Sequence, residues 1–464
     1  MTLALPLVPA PDPFGTCVRF SGLPHLLFLD SSAQGTLSRF SFLTADPVAL
    51  ARTPEAGREL LRGERRAPLP GLPPFQGGIA GYLGYDWGAE LERVARPPAD
   101  RFTPRIPDVA LALYDWVIAW DHLEEKAWLI STGIGAGGRG SNEERARTRA
   151  AWVRERLTAP APAIPDPPAR LPAPPESNFA RTEFEAAVTR IRAYIAAGDV
   201  YQVNLSQRFH APFTGSPLAL YRRLRTRNPA PFGAYLEFAG TAIASVSPER
   251  FLRLDATGAA EARPITGTRP RGAAPAGDSA LARELLESEK DRAENIMIVD
   301  LLRNDLGKVC RPGSVRVPTL FALESHPTVH HLVSTVTGVL ADGADAFDLL
   351  LAAFPGGSVT GAPKIRAMQI IAELERAPRG VYCGAIGYVS TTSAMDFNIP
   401  IRTIVLQGGR GAGGASFHAG AGIVWDSEPA AEYQETLAKA QTLIEALTSP
   451  RRMPRTRGRA HPRA

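Results

Sequence analysis

The chain has 464 residues, 21% of them charged and 44% hydrophobic, an ordinary globular composition long enough for two domains or one large core. Its formal net charge of +5 misleads, because residues 451–464 hold six Arg and no acid, leaving 46 basic against 47 acidic residues in the body. A neutral body gives no electrostatic case for nucleic-acid binding, and the absence of a basic leader or of any apolar run near ~20 residues points to a cytoplasmic chain without a membrane anchor.

Residues 14–50 read as short strands, Cys17–Phe20, Leu26–Ser32 and Ser38–Phe42, punctuated by Gly and Pro as in antiparallel sheet. Pro74–Asp86 carries four glycines, a density that implies close backbone packing or tight turns. Residues 109–131 read as two strands around a turn at Asp121-His122, with Trp116, Trp120 and Trp128 as core. Glu143–Leu157 reads as a charged helix. Eight prolines between Pro160 and Pro175 then rule out regular structure and mark the clearest boundary. The divisions are an N-terminal part of a sandwich at 14–158, a Pro/Ala-rich linker at 159–177, a second region at 178–447 and a basic disordered tail at 448–464.

The second region opens with Thr182-Glu183-Phe184-Glu185, a capping-box spacing, and a helix whose Phe184, Val188, Ile191 and Ile195 share one face before Gly198 stops it. The strand Val200–Ser206 follows, with Tyr201, Val203 and Leu205 on one side and Gln202 and Asn204 on the other. Further on, Glu289–Asp305 has the helical spacing of Ile298, Leu301 and Leu302, and places Asp291 and Glu294 three apart on one side. Ala431–Lys439 repeats the arrangement with Glu432, Glu435 and Lys439 on one face. An isolated acidic pair is usually a solvated helical face. Two such helices together can hold a hard cation with positions left open for an anionic substrate.

Two weaker signals are set aside. Gly409–Gly414 matches G-x-G-x-x-G but lies between strand-like segments with no helix after it, so it reads as a hairpin loop. Gly361-Ala362-Pro363-Lys364 has the wrong spacing for a phosphate loop. Cys17, Cys310 and Cys383 are far apart, form no metal pair and suggest no disulfide framework or thiol nucleophile, which fits a reducing compartment.

More specific is an ordered series: Gly198–Gln207, Ser245–Glu249, Arg263–Pro270, Asp291–Asp305, His330–Ser334, Phe354–Lys364, Ile401–Thr403, Ala419–Gly422 and Glu432–Lys439. Over roughly residues 14–447 the chain resembles the chorismate-utilising enzymes, specifically the component I chains of aminodeoxychorismate synthase and of anthranilate synthase. The resemblance implies an α/β (α+β) fold, a large two-sheet antiparallel β-sandwich flanked by helices, with chorismate and Mg2+ bound between the sheets. By the same resemblance Glu294 and Glu435 are magnesium ligands, with Glu432 and Asp291 close by. Arg402 and Tyr382 match positions that bind the pyruvyl carboxylate, where a planar guanidinium suits a bidentate contact. Lys439 and the backbone amides of Gly420 and Gly422 complete the anion site, and Ser358 joins the substrate contacts. Glu249 matches the acid that protonates the leaving 4-hydroxyl, a task that needs a raised pKa, and His331 matches a histidine near the reacting ring.

Gln202 stands where water-adding relatives carry a lysine base, so ammonia is the implied nucleophile. The blocks favour the aminodeoxychorismate branch, with 4-amino-4-deoxychorismate as product on the way to para-aminobenzoate and folate; the alternative is anthranilate. Thr266 departs from that branch, whose well-known members carry a lysine that attacks C2, and threonine is a poor nucleophile without a base beside it. The chain has no glutaminase signature, so a separate glutamine amidotransferase subunit is implied as the ammonia source. Asp30, Ser31 and Arg39 lie where the family binds tryptophan. A tryptophan-binding regulatory subunit without catalysis is the reading from another class, and the intact set Glu249, His331, Glu294, Arg402, Glu435 and Lys439 argues against it.

Overall fold

The computed structural model describes residues 2–135, 141–165, 174–272, 274–325, 329–408 and 413–448. Its frame is two large sheets whose pairings all run antiparallel. The first has twelve strands and runs from the edge strand Leu3–Pro6 through Lys126–Ser131, Trp116–Asp121, Phe40–Thr44, Leu26–Asp30 and Phe232–Phe238. It continues through Thr241–Ser247, Thr403–Gln407, Gly413–Ile423 and Gln202–Phe213 to Gly361–Ala362. The second has ten strands, with Ile265–Pro270 and Val329–Val339 at one end and Gly78–Leu83, Val109–Tyr114 and Ala49–Ala51 at the other. Both sheets take strands from either side of the Pro-rich stretch.

The sheets meet through Leu27, Phe42, Leu236 and Ile243 of one and Ala80, Tyr82, Ile386 and Tyr388 of the other. Phe75 stacks on Tyr388 at 4.5 Å between ring centroids. Each fully buried side chain of this kind stabilises the sandwich by about 1.5–3 kcal/mol. The glycine-rich stretch supplies the close approach its composition implied. Gly81 has φ +148, and a Cβ there would lie 2.0 Å from the Ala110 carbonyl of the next strand.

The structure changes four readings. Cys17–Phe20 is no strand but part of the helix Pro13–Phe20, started by the Asp12 side chain accepting from Gly15 N and by Pro13 in the first turn. Its apolar residues Phe14, Cys17 and Val18 bury at helical spacing. Residues 109–131 hold three strands, not two, because the chain crosses from one sheet to the other between Tyr114 and Trp116. The helix expected to be capped by Thr182 begins at Arg181, where the Glu183 carboxylate accepts from Ala180 N at 2.9 Å. Its inward face is as expected, with Phe184, Val188 and Ile191 buried. The strand expected at Val200–Ser206 runs Gln202–Phe213, and Tyr201 lies outside it, exposed.

The charged helix spans Asn142–Thr158 behind a Ser141/Glu144 capping box. Residues 409–412, most of the proposed hairpin loop, lie outside the described residues, as do 166–173 of the linker and 449–464 of the tail. The strands flanking 409–412, Thr403–Gln407 and Gly413–Ile423, pair antiparallel as a hairpin requires. Among the described residues no helix is long and apolar enough to cross a membrane.

Candidate active site

Ser288 caps the helix Glu289–Gly307 by accepting from Asp291 N, and Ile298, Leu302 and Leu306 anchor it in the core. Asp291 and Glu294 therefore project together toward an open pocket. The helix Pro429–Thr448, anchored by Ala440, Leu443 and Leu447, turns Glu432, Glu435 and Lys439 into the same pocket. Burial pushes the Glu294 carboxyl above its usual range, Gln202 Nε2 donating to it at 2.7 Å opposes this, and the Asp291 charge adds to it. Burial also raises Glu432, against a 2.6 Å hydrogen bond from Ser427 Oγ.

Each remaining carboxylate has its own cation. Asp291 takes Arg269 Nη2 at 3.0 Å, and Glu435 takes Lys439 Nζ at 2.7 Å. Among the described residues no three His, Cys, Asp or Glu side chains stand close enough together to hold an ion. The donor set is nonetheless of the type a hard divalent cation takes: carboxylate oxygens on two facing helices, two of them made costly to ionise by burial and by like charge nearby.

Glu249 sits beyond the end of the strand Thr241–Ser247, 4% exposed. Burial pushes its carboxyl up to about 7, with the Ser358 hydroxyl, 2.8 Å from Oε1, opposing the shift and the Lys439 charge opposing it less. A carboxyl poised there can hold a proton at neutral pH and release it to a leaving group. Ser358, expected among the substrate contacts, has its hydroxyl on Glu249.

A bulge shapes the next wall. Thr266 pairs with Leu332 and Thr268 with His331, so Gly267 is the extra residue. Gly267 has φ +69, and a Cβ there would lie 2.8 Å from Asp291 Oδ1. Thr268 Oγ1 is 2.9 Å from His331 Nδ1. Thr266 Oγ1 accepts from Asn295 Nδ2 at 2.7 Å, and Asn295 Oδ1 in turn accepts from Ser334 Oγ. The neighbour of Thr266 is an amide, which cannot take its proton.

Arg402 also lines the pocket, in a left-handed backbone conformation at φ 51. No acceptor among the described residues bonds its guanidinium, and burial alone lowers its pKa, without an acidic neighbour to oppose it. It is a cation placed without its anion. Tyr382 stacks on His418 beside it, ring centroids 5.2 Å apart. Gly420 and Gly422 pair with Ser206 and Asn204, whose own amides donate elsewhere, to Glu375 and to the Thr360 carbonyl. The two glycines therefore occupy non-hydrogen-bonded positions and turn their backbone groups away from that strand. Lys439 donates to the Gly420 carbonyl at 3.0 Å, so it is held by this strand and by Glu435 together.

Every expected catalytic, substrate and metal residue lines this pocket except Gln202, which enters it through its bond to Glu294. The pocket also contains Asn204, Arg269 and His418, which the sequence reading assigned no role. Asn204 was detectable, two residues from Gln202 on the same strand face. Asp30, Ser31 and Arg39 stand apart, on a second pocket between the sheets. Their side chains are already engaged: Asp30 by Arg225 and Tyr221, Arg39 by Asp121, and Ser31 by the Phe40 and Pro231 carbonyls.

A proton-holding acid and an unpaired guanidinium in one pocket, walled by two acidic helices, define an acid–base enzyme for a small anionic substrate. The chain belongs to the chorismate binding enzyme family, whose model matches residues 31–445. It is 42% identical to aminodeoxychorismate synthase component 1 of Salmonella typhimurium, over 92% of this chain and 93% of that one. It is 40% identical to anthranilate synthase component 1 of Thermus thermophilus, over 91% and 92%. Among solved structures, anthranilate synthase component I from Streptococcus pneumoniae matches with a TM-score of 0.76 at 35% identity, covering 89% of this chain and 93% of that one.

Proposed function

We propose that the chain aminates chorismate with ammonia to give 4-amino-4-deoxychorismate, drawing the ammonia from a separate glutamine amidotransferase subunit. The observation that carries this is Glu249, a buried carboxyl at about 7 in the same pocket as the uncommitted Arg402. Arg402 receives a carboxylate of chorismate through a charge-assisted pair. Glu249 gives its proton to the 4-hydroxyl as the C4–O bond breaks, so that oxygen leaves as water, and ammonia supplies the electron pair of the new C–N bond. Gln202 carries no base, so the site has nothing there to deprotonate a competing water. Magnesium held by Glu294 and Glu435, with Asp291 and Glu432 beside them, would supply positive charge to the ring carboxylate. Thr266 forms no adduct with the ring, since its hydroxyl faces the Asn295 amide.

The second reading is anthranilate formation, favoured by the missing lysine at 266 and by the comparable identity to anthranilate synthase components. One assay separates the two. Chorismate, an ammonium salt and magnesium are supplied, followed by a lyase specific for 4-amino-4-deoxychorismate. Para-aminobenzoate supports the proposal, and anthranilate made without the lyase overturns it. Glutamine in place of ammonia should give no product with this chain alone. Cys17 and Cys383 are buried with thiol pKa values raised by desolvation, and neither can serve as an amidase nucleophile.

A further inference from the structure

One buried ion pair lies against the back of the pocket and contributes no atom to its lining. Glu375 ends the helix Lys364–Leu374, and Arg379 follows it by four residues, both at most 3% exposed. Glu375 Oε1 accepts from the backbone N and the hydroxyl of Ser206, at 2.8 and 2.9 Å. Arg379 returns Nε and Nη2 to that carboxylate and spends its other donors on two carbonyls. Nη2 donates to Asn204 at 2.8 Å and Nη1 to Val359 at 2.7 Å. Its guanidinium lies over the Tyr85 ring, 4.4 Å from the centroid.

Those acceptors belong to two separate walls of the site. Asn204 and Ser206 are the partners of Gly422 and Gly420. Val359 ends the short turn Gly357–Val359, whose Ser358 hydroxyl is bonded to Glu249. A guanidinium offers its donors in a rigid plane, so satisfying both carbonyls and the carboxylate at once fixes the turn relative to the strand. A lysine ammonium keeps the charge opposite Glu375 but lacks the reach and the fork to hold both.

We propose that Arg379, braced by Glu375, is a positioning residue for the proton donor. Through Val359 and Ser358 it sets where the Glu249 carboxyl stands relative to the glycine strand that lines the substrate pocket. It touches no substrate itself. The inference rests on Glu249 being the acid of the reaction.

The test is a double-variant cycle on the full chain with chorismate, ammonia and magnesium, using Arg379→Lys, Ser358→Ala and both together, with Glu249→Gln alongside. Circular dichroism and thermal unfolding establish the folded fraction of each. The expected result is a fall of about ten-fold or more in kcat for each single variant, with KM for chorismate within about three-fold. The double variant should be no worse than the poorer single by more than about three-fold, because both changes break one relay. If Arg379→Lys does not fold, Glu375→Gln replaces it in the cycle. Losses that multiply, or an Arg379 variant that lowers stability while kcat per folded molecule is unchanged, overturn the proposal. A Glu249→Gln enzyme with wild-type kcat fails the acid assignment instead, and so separates the two claims.

Discussion

Replacing Glu249 by Gln should lower activity and raise stability together, because one feature causes both. The carboxyl is raised from an ordinary value near 4.5 to about 7, chiefly by burial. In the native protein it holds its proton through a range where the unfolded chain has already released it. The stability this gives is fully present below about pH 4.5 and is lost as pH rises through about 7. A shift of that size corresponds to about 3 kcal/mol of native stability forgone above pH 7.

Glutamine is nearly isosteric and its Oε1 can still accept from Ser358, so the variant has no charge to bury at any pH. The amide N–H2 opposes the backbone donor of Ile265, which removes part of the gain. The assay is denaturant unfolding of both proteins from pH 5 to pH 8.5. The stability difference should grow with pH in favour of the variant, by on the order of 1–3 kcal/mol. In parallel, kcat should fall by about 10²–10⁴ with little change in KM, the usual worth of a positioned general acid. A pH-independent stability difference would refute the raised pKa. A variant that loses affinity for chorismate instead of kcat would refute the acid role.

Arg402→Ala should raise KM for chorismate by roughly 10–150-fold, the worth of a charge-assisted pair, without loss of thermal stability, since the guanidinium has no anionic partner among the described residues; calorimetric unfolding and steady-state kinetics check this. In Gly422→Ala the added methyl would lie 2.6 Å from Gln202 Nε2 and 3.3 Å from Glu294 Oε1. Breaking that pair should cut kcat at least about ten-fold while the sandwich stays folded, read by kinetics and circular dichroism. Removing magnesium with a chelator should abolish ammonia-dependent turnover, and Glu294→Ala and Glu435→Ala should weaken magnesium binding measured by titration calorimetry; folded variants that turn over without added metal would defeat the assignment. In Thr266→Lys, a chorismate mass adduct on residue 266 would show that this position faces C2.

What the sequence determined is what short-range periodicity can encode. Carboxylates three apart on a helix must share a side, which fixed Asp291 with Glu294 and Glu432 with Glu435 before any fold was known. Alternation along a strand put Gln202 and Asn204 on one face, and glycine density near residue 80 announced a close approach that Gly81 makes. The ordered blocks added the family, and with it the residues that one pocket gathers.

Tertiary structure decided the rest, because it depends on contacts between segments 22 to 109 residues apart. Only the fold shows that Asp291 is engaged by Arg269 while Glu294 is engaged by Gln202. Only the fold leaves Arg402 without an acid among the described residues and gives Ser358 to Glu249 across a separation of 109 residues. The misread segments have the same cause. A mostly apolar tetrapeptide such as Cys17–Phe20, with one Arg, fits strand or helix equally well, and the Asp12 cap with the helical burial of Phe14, Cys17 and Val18 decided for helix. Burial is also what raises the Glu249 carboxyl above its ordinary value, and no local pattern records how much water a fold will exclude.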